Sequence, residues 1–185
     1  MSIYPDSQVK ATETSERDTS FIASVCEHWE NAADVMENVS ERIVKLRIGI
    51  VLDKNEGALL PILKVVKLGI ASPLGHGTQY MSWIAISDLV NIFSWSLDNR
   101  NVNGVYNAVA PNPTTNTEFM KATAKAVHKP YFFPKVPSFM MKLIMGEMYT
   151  LVLSSNRVSC EKLLSQGFKF EYDHLAEALQ DILID

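Results

Sequence analysis

The sequence predicts an α/β fold with parallel pairing, on three observations. Helical and extended patterns alternate along most of the chain. The segment Arg42–Leu52, RIVKLRIGIVL, is nearly continuous in Ile, Leu and Val, which suits a strand covered on both faces. No internal repeat or low-complexity tract interrupts that order, and such alternation builds sheets layered with helices.

The elements follow in order. Ser2–Asp18 carries Pro, Ser and charges without periodicity and reads as loop. Phe21, Val25, Trp29, Ala32, Met36 and Val39 recur every three or four residues, which predicts a helix with one apolar stripe turned to the core. Glu27, Glu30 and Glu37 then fall on or beside the wetter face. After the strand at Arg42–Leu52, Gly57–Ile70 reads as a helix, with Pro61 tolerable within its first turn. Gln79–Ile84 is a short strand. Ser87 or Asp88 is placed to cap the next helix, whose apolar face is Leu89, Val90, Phe93 and Leu97.

Asn99–Asn103 is a turn, and Val105–Ala110 is a strand ending at Pro111. Thr115 and Glu118 have the spacing of a capping box, which opens a helix through Phe119, Ala122 and Ala126. Lys129–Pro137, with two prolines and three aromatics, is an extended linker. Ser138–Ser154 is Met-rich and reads as two short helices broken at Gly146. Its Met140, Met141, Met145 and Met148 suit core or interface filling. Asn156–Gln166 is a helix stopped by Gly167, Lys169–Tyr172 is a small strand, and Asp173 caps a last helix that buries Leu175, Leu179 and Ile182.

Composition narrows the function classes. The chain has 185 residues, 47% hydrophobic and 21% charged, which fits one ordinary globular domain with at most an appendage. A net charge of −4 and no basic stripe argue against nucleic acid as a partner. Cys26 and Cys160 lie far apart without metal-ligand spacing and read as reduced, packed thiols. The polar start is unlike a signal peptide, and no apolar run approaches the roughly 20 residues that span a bilayer. A cytoplasmic protein without membrane contact is expected. His28, His76, His128 and His174 are scattered, so no metal site is expected, and there is no G-x-S-x-G for a serine hydrolase.

Six blocks together resemble a known family. They are IYPDS at Ile3–Ser7, FIASVCEHWENAA at Phe21–Ala33, KLRIGIVLDKNEGALL at Lys45–Leu60, KLGIASPLGHGTQYMSWIAISDLV at Lys67–Val90, NGVYNAVAPNPTTNTEF at Asn103–Phe119 and GEMYTLVLSSNRVSCEKLLSQGFKFEY at Gly146–Tyr172. In wording and order they are similar to the uncharacterised epimerase-like branch of the extended short-chain dehydrogenase/reductases. Members of that branch are often called nucleoside-diphosphate sugar epimerases, and some carry a cell-division-inhibitor label. The resemblance implies the remainder of a Rossmann-type parallel sheet over residues 1–70 and a small α/β substrate-binding region over 71–185.

The same resemblance implies that a front half is elsewhere. The family opens with a Gly-rich turn whose backbone N–H groups hold the dinucleotide pyrophosphate. No such run is found here, and Gly69, Gly75 and Gly77 do not precede a helix in a β-α-β unit. The family's Tyr-x-x-x-Lys pair falls on Ile22 and Cys26, which cannot transfer protons as that pair does. Tyr4 is the nearest phenol, read either as catalytic or as an anchor where a loop begins.

Gly49, Ile50 and Val51 match the turn where the family's backbone approaches the nicotinamide of NAD or NADP. Gly57, Gln79 and Trp83 would face a sugar-like substrate, with Trp83 open to a second reading as a core residue. Asp88 reads as a helix cap. Arg47, in an apolar strand, needs a carboxylate or a ligand phosphate, and the carboxylate is expected. The resulting expectation is the substrate half of an NAD(P)-dependent epimerase or reductase, without tight cofactor binding of its own. It would act with a complementary N-terminal half or as a homo-oligomer. The alternative is a non-catalytic module that self-associates or binds a partner.

Overall fold

The computed structural model describes residues 3–132, 134, 142 and 153–183. Helices α1 (Phe21–Asp34), α2 (Leu59–Lys67), α3 (Ile86–Asp98), α4 (Asn116–Ala126), α5 (Glu161–Ser165) and α6 (Leu175–Leu183) alternate with eight short strands. The strands are β1 (Ser7–Ala11), β2 (Val44–Ile48), β3 (Ile50–Leu52), β4 (Tyr80–Met81), β5 (Trp83–Ala85), β6 (Gly104–Ala108), β7 (Thr114–Thr115) and β8 (Asn156–Val158). Three pairs, β1–β8, β2–β6 and β3–β5, are parallel, and β4–β7 is antiparallel. This is the α/β class with parallel pairing that the alternation predicts.

The long apolar run folds as two strands rather than one, divided at Gly49. Gly49 N–H donates to the Ala108 carbonyl, and the next residue, Ile50, donates to that of Ser82. The chain thus changes partner from β6 to β5 within one residue. A Cβ at Gly49 would lie 2.5 Å from the Ser82 oxygen and 2.8 Å from Val109 Cγ1, so the crossing needs glycine.

Three apolar clusters form among the described residues, and two of them are the larger. One joins Ile84, Leu89, Ile92, Tyr106, Val158, Leu163 and Phe168, with Leu46 and Ile48 against it. Trp95 meets Tyr106 and Phe168 edge-on within it. The other places Leu52, Leu59, Leu63, Trp83 and Phe119 against Leu175 and Leu179 of α6.

Local signals hold where they are self-contained. Thr115 Oγ1 accepts from Glu118 N–H, and Glu118 Oε2 accepts from Thr115 N–H, completing the capping box. Pro61 is the third residue of α2. Gly167, at φ +89°, follows α5, with its N–H given to the Leu164 carbonyl. Leu175 and Leu179 are buried on α6.

Five expectations are corrected. Ser7–Ala11 is a strand, because β8 offers it a parallel edge 149 residues away in the Ser7–Asn156 register. The same pairing extends Asn156–Val158, so the helix expected from Asn156 begins at Glu161. Residues 169–172 form no strand, since the N–H groups of Glu171 and Tyr172 donate to Asp88. The N-cap of α3 is Ala85, and Asp88, inside the first turn, clamps those two N–H groups instead of capping its own helix.

The fifth correction is the largest. The apolar stripe expected from Phe21 to Val39 faces outward, with Phe21 and Trp29 of α1 and Met36 and Val39 beyond its end exposed, while Glu30 is buried. Glu30 is drawn inward by the Arg47 guanidinium, which outweighs the helix's own pattern. Most of the Met-rich stretch, and residues 133 and 135–137 of the expected linker, lie outside the described residues.

Candidate functional site

A cavity of about 410 Å³ opens where β3 and β5 end and α2 and α3 begin. Val51, Asp53, Asn55, Glu56, Gly57 and Ile86 line it. In parallel α/β sheets, ligands bind beyond the carboxyl ends of the strands, and this opening has that position. Its floor is set by a turn. Asp53 Oδ1 accepts from Asn55 N–H at 2.7 Å and from Glu56 N–H at 3.2 Å. The chain then returns through Gly57, which bridges Leu52 at φ +72°, a left-handed conformation that favours glycine.

Among the described residues, the lining contains two carboxylates, one amide and no Lys, Arg or His. Such a site accepts hydrogen bonds from hydroxyl groups and repels phosphate. A second cavity of about 410 Å³ lies near the amino ends of β2 and β6, lined by Asp34, Glu37, Glu41, Arg42 and Lys45 among others. Its cations are already used. Lys45 pairs with Asp34 at 2.5 Å, and Arg42 donates to the carbonyls of Ser96, Leu97 and Val102, closing the end of α3.

The structure brings Val51 and Gly57 together at the first cavity and places the other predicted residues elsewhere. Gly49 and Ile50 lie at the strand crossing, bonded to Ala108 and Ser82. Trp83 is fully buried and gives its indole N–H to the Asn112 carbonyl at 3.0 Å, so it packs the core and offers no ring face. Gln79 is buried and donates its amide to the Leu74 carbonyl, holding the 74–79 loop. His76 is exposed between Gly75 and Gly77, both at positive φ. Sequence reasoning missed Asp53, Asn55, Glu56 and Ile86 as lining residues. The run of turn-forming Asp and Asn directly after an apolar strand was the available signal.

Tyr4 belongs to a buried polar cluster. Its hydroxyl donates to Asn107 Oδ1 at 2.6 Å and accepts from Arg47 Nη1 at 2.7 Å. Arg47 grips Glu30 with Nε at 2.6 Å and Nη2 at 2.9 Å, a bidentate pair. Asn107 also donates its backbone N–H to Glu13 Oε1 and its side-chain amide to the Ser159 carbonyl. Burial pushes the Tyr4 phenol above its usual range against the pull of Arg47, while Arg47 holds the Glu30 carboxyl below its own. The cluster ties β2, β6, α1 and the N-terminal segment together, and it answers Arg47's need with a carboxylate.

Asp88 is fully buried, and burial raises its carboxyl above the usual range while the N–H groups of Glu171 and Tyr172 pull the other way. Cys26 and Cys160 are free thiols. Among the described residues, no group of three or more His, Cys, Asp and Glu is arranged to hold a metal, and no helix is long and apolar enough to cross a membrane.

Residues 136–182 match the family described as a domain of unknown function, DUF1731. The chain is 36% identical over 163 residues to the chloroplastic epimerase family protein SDR39U1 homolog of Arabidopsis thaliana, covering 88% of this chain and 46% of that protein. Its fold matches human epimerase family protein SDR39U1, solved with NADPH, at a TM-score of 0.89 and 31% identity, over 97% of this chain and 61% of that one. A nucleoside-diphosphate sugar epimerase from Corynebacterium glutamicum matches at a TM-score of 0.75 and 28% identity, over 96% of this chain and 34% of that one. The chain spans about half the length of the curated relatives it matches. By sequence and by fold, it is related to the epimerase family proteins of the extended short-chain dehydrogenase/reductase type, over that portion of their length.

Proposed function

We propose that this chain supplies the substrate side of an NAD(P)-dependent epimerase- or reductase-like protein and is not catalytically competent alone. The observation that carries the reading is the cavity beyond β3, whose lining among the described residues has carboxylates and no cation. It suits the hydroxyl groups of a sugar-like alcohol and not a pyrophosphate, so the dinucleotide phosphates belong to a cradle in the other half. The NADPH in the human relative is consistent with a nicotinamide cofactor in the assembled protein. There the cofactor would supply hydride chemistry, and Val51 and Gly57 would position the alcohol beside it. Tyr4, with its hydroxyl committed to Arg47 and Asn107, keeps an anchoring role in this reading.

Amide chemical shifts of the chain during titration with a neutral monosaccharide test the site. Shifts concentrated at Val51, Asp53, Gly57 and Ile86 are expected. Shifts at the opposite cavity around Asp34 and Arg42, or none anywhere, would refute it. A second reading, a non-catalytic partner-binding module, is favoured by one observation, the exposed apolar stripes on α1 and α3.

A further inference from the structure

Arg17 and Arg47 hold carboxylates, Arg42 holds three carbonyls, and Arg100 is exposed in a turn. Arg157, in β8, differs from all of them. It is half-buried, and its Nε, shut off from solvent, meets no acceptor among the described residues. Alternation along β8 sends Val158 into the core and Arg157 to the opposite face. There its guanidinium lies over the Tyr80 ring of β4, 5.0 Å from the centroid. The backbone is pinned on both sides of Arg157. Ser82 Oγ donates to the Asn156 carbonyl at 2.6 Å and accepts from Val158 N–H at 3.0 Å. Ser155 Oγ accepts from Tyr80 N–H at 2.9 Å, which ties the ring's own strand to β8. Asp6, the acid on the segment before β1, gives its carboxylate to the Ser155 N–H. A buried cationic N–H without an acceptor is costly, and native proteins meet it with a protein group, water or a bound ion. Water leaves the charge unneutralised, whereas an oxyanion supplies both the acceptor and the counter-charge.

We propose that Arg157, stacked on Tyr80, anchors an oxyanion site that takes the phosphate or carboxylate group of a small molecule. The planar guanidinium presents parallel N–H groups that match two oxygens of either anion. Tyr80 holds that plane in one orientation, so little freedom is lost when the anion docks. Two sources carry this chemistry, a free inorganic anion and the charged end of a sugar phosphate or sugar acid. Neither Arg157 nor Tyr80 lines the cavity beyond β3, whose carboxylates repel the same groups. A ligand enters the Arg157 site by its charge and the cavity by its hydroxyl groups.

The Arg157 Nε–Hε resonance of the isotope-labelled chain reads the contact during titration with inorganic phosphate, acetate, glucose 1-phosphate and glucose. Sodium chloride at matched ionic strength is the control. The anions should shift this resonance and the Tyr80 and Ser155 amides saturably, with dissociation constants on the order of 1 mM. Glucose should leave Arg157 unmoved. Tighter binding of glucose 1-phosphate than of inorganic phosphate assigns the site to the charged end of a sugar, and equal binding assigns it to a free anion. Arg157→Met keeps the stem over the ring and should weaken phosphate about tenfold or more, the size of one charge-assisted hydrogen bond. Arg157→Lys keeps the charge without the fork, should also bind more weakly, and serves if the Met variant fails to fold. Tyr80→Leu should weaken phosphate about twofold to fivefold. An Arg157 resonance unmoved by every anion, one moved equally by chloride, or phosphate binding unchanged in the Arg157 variants would overturn the proposal.

Discussion

Replacing Glu30 with Ala isolates the contact that turns α1 over. The Arg47 and Glu30 side chains are 7% and 10% exposed and meet through two bonds of 2.6 and 2.9 Å. Removing the carboxylate leaves a buried guanidinium with the Tyr4 hydroxyl and the Glu13 carbonyl as its remaining acceptors. Breaking one partner of a buried pair costs about 3–5 kcal/mol, against about 0–1 kcal/mol for an exposed pair such as Lys10–Glu161. Replacing both partners, Glu30→Leu with Arg47→Met, removes the unpaired charge and should recover most of the loss. Urea unfolding followed by circular dichroism measures each variant. A cost below about 1 kcal/mol for Glu30→Ala would refute the reasoning, because exposed pairs are worth no more than that. A double variant no more stable than Glu30→Ala would also refute it.

Three further outcomes are expected. Arg47 depresses the Glu30 carboxyl below its unfolded value of about 4.3, so its stabilisation is whole above that pH and fades as pH falls through the folded value. The urea midpoint should therefore drop between pH 5 and 3 in the natural chain and drop less in Glu30→Gln; equal slopes would contradict this. Gly49→Ala forces a Cβ into the Ser82 carbonyl and Val109, and should cost about 1–3 kcal/mol by thermal unfolding; an unchanged midpoint would show that the crossing is not tight. Burial pushes the Cys160 thiol up to about 11, so iodoacetamide at pH 8 should label half-buried Cys26 and spare Cys160 until urea is added; equal labelling in the folded protein would refute its burial.

The legible parts of this chain are those decided within a few residues. The Thr115–Glu118 capping box, the Gly167 stop and the apolar run after Arg42 each carry their own signal. What failed depended on distant neighbours. Nothing near Ser7 announces that Asn156 will pair with it, and both segments were misread for that reason. The stripe on α1 was read correctly as a stripe and assigned to the wrong side. Burial of Glu30 is decided by Arg47, 17 residues on. Arg47 itself was legible as a buried cation needing a carboxylate, but which carboxylate was not. At the site, Val51 followed from the strand end and Gly57 from the family resemblance, whereas Trp83 and Gln79 are drawn inward by Asn112 and Leu74, whose positions no local pattern reveals.

Calorimetric titration of NADPH into this chain by itself probes the central claim most directly. The account predicts no saturable heat at micromolar concentrations, because the proposed function assigns the groups that hold the pyrophosphate to residues outside this chain. One-to-one micromolar binding by the isolated chain would contradict it.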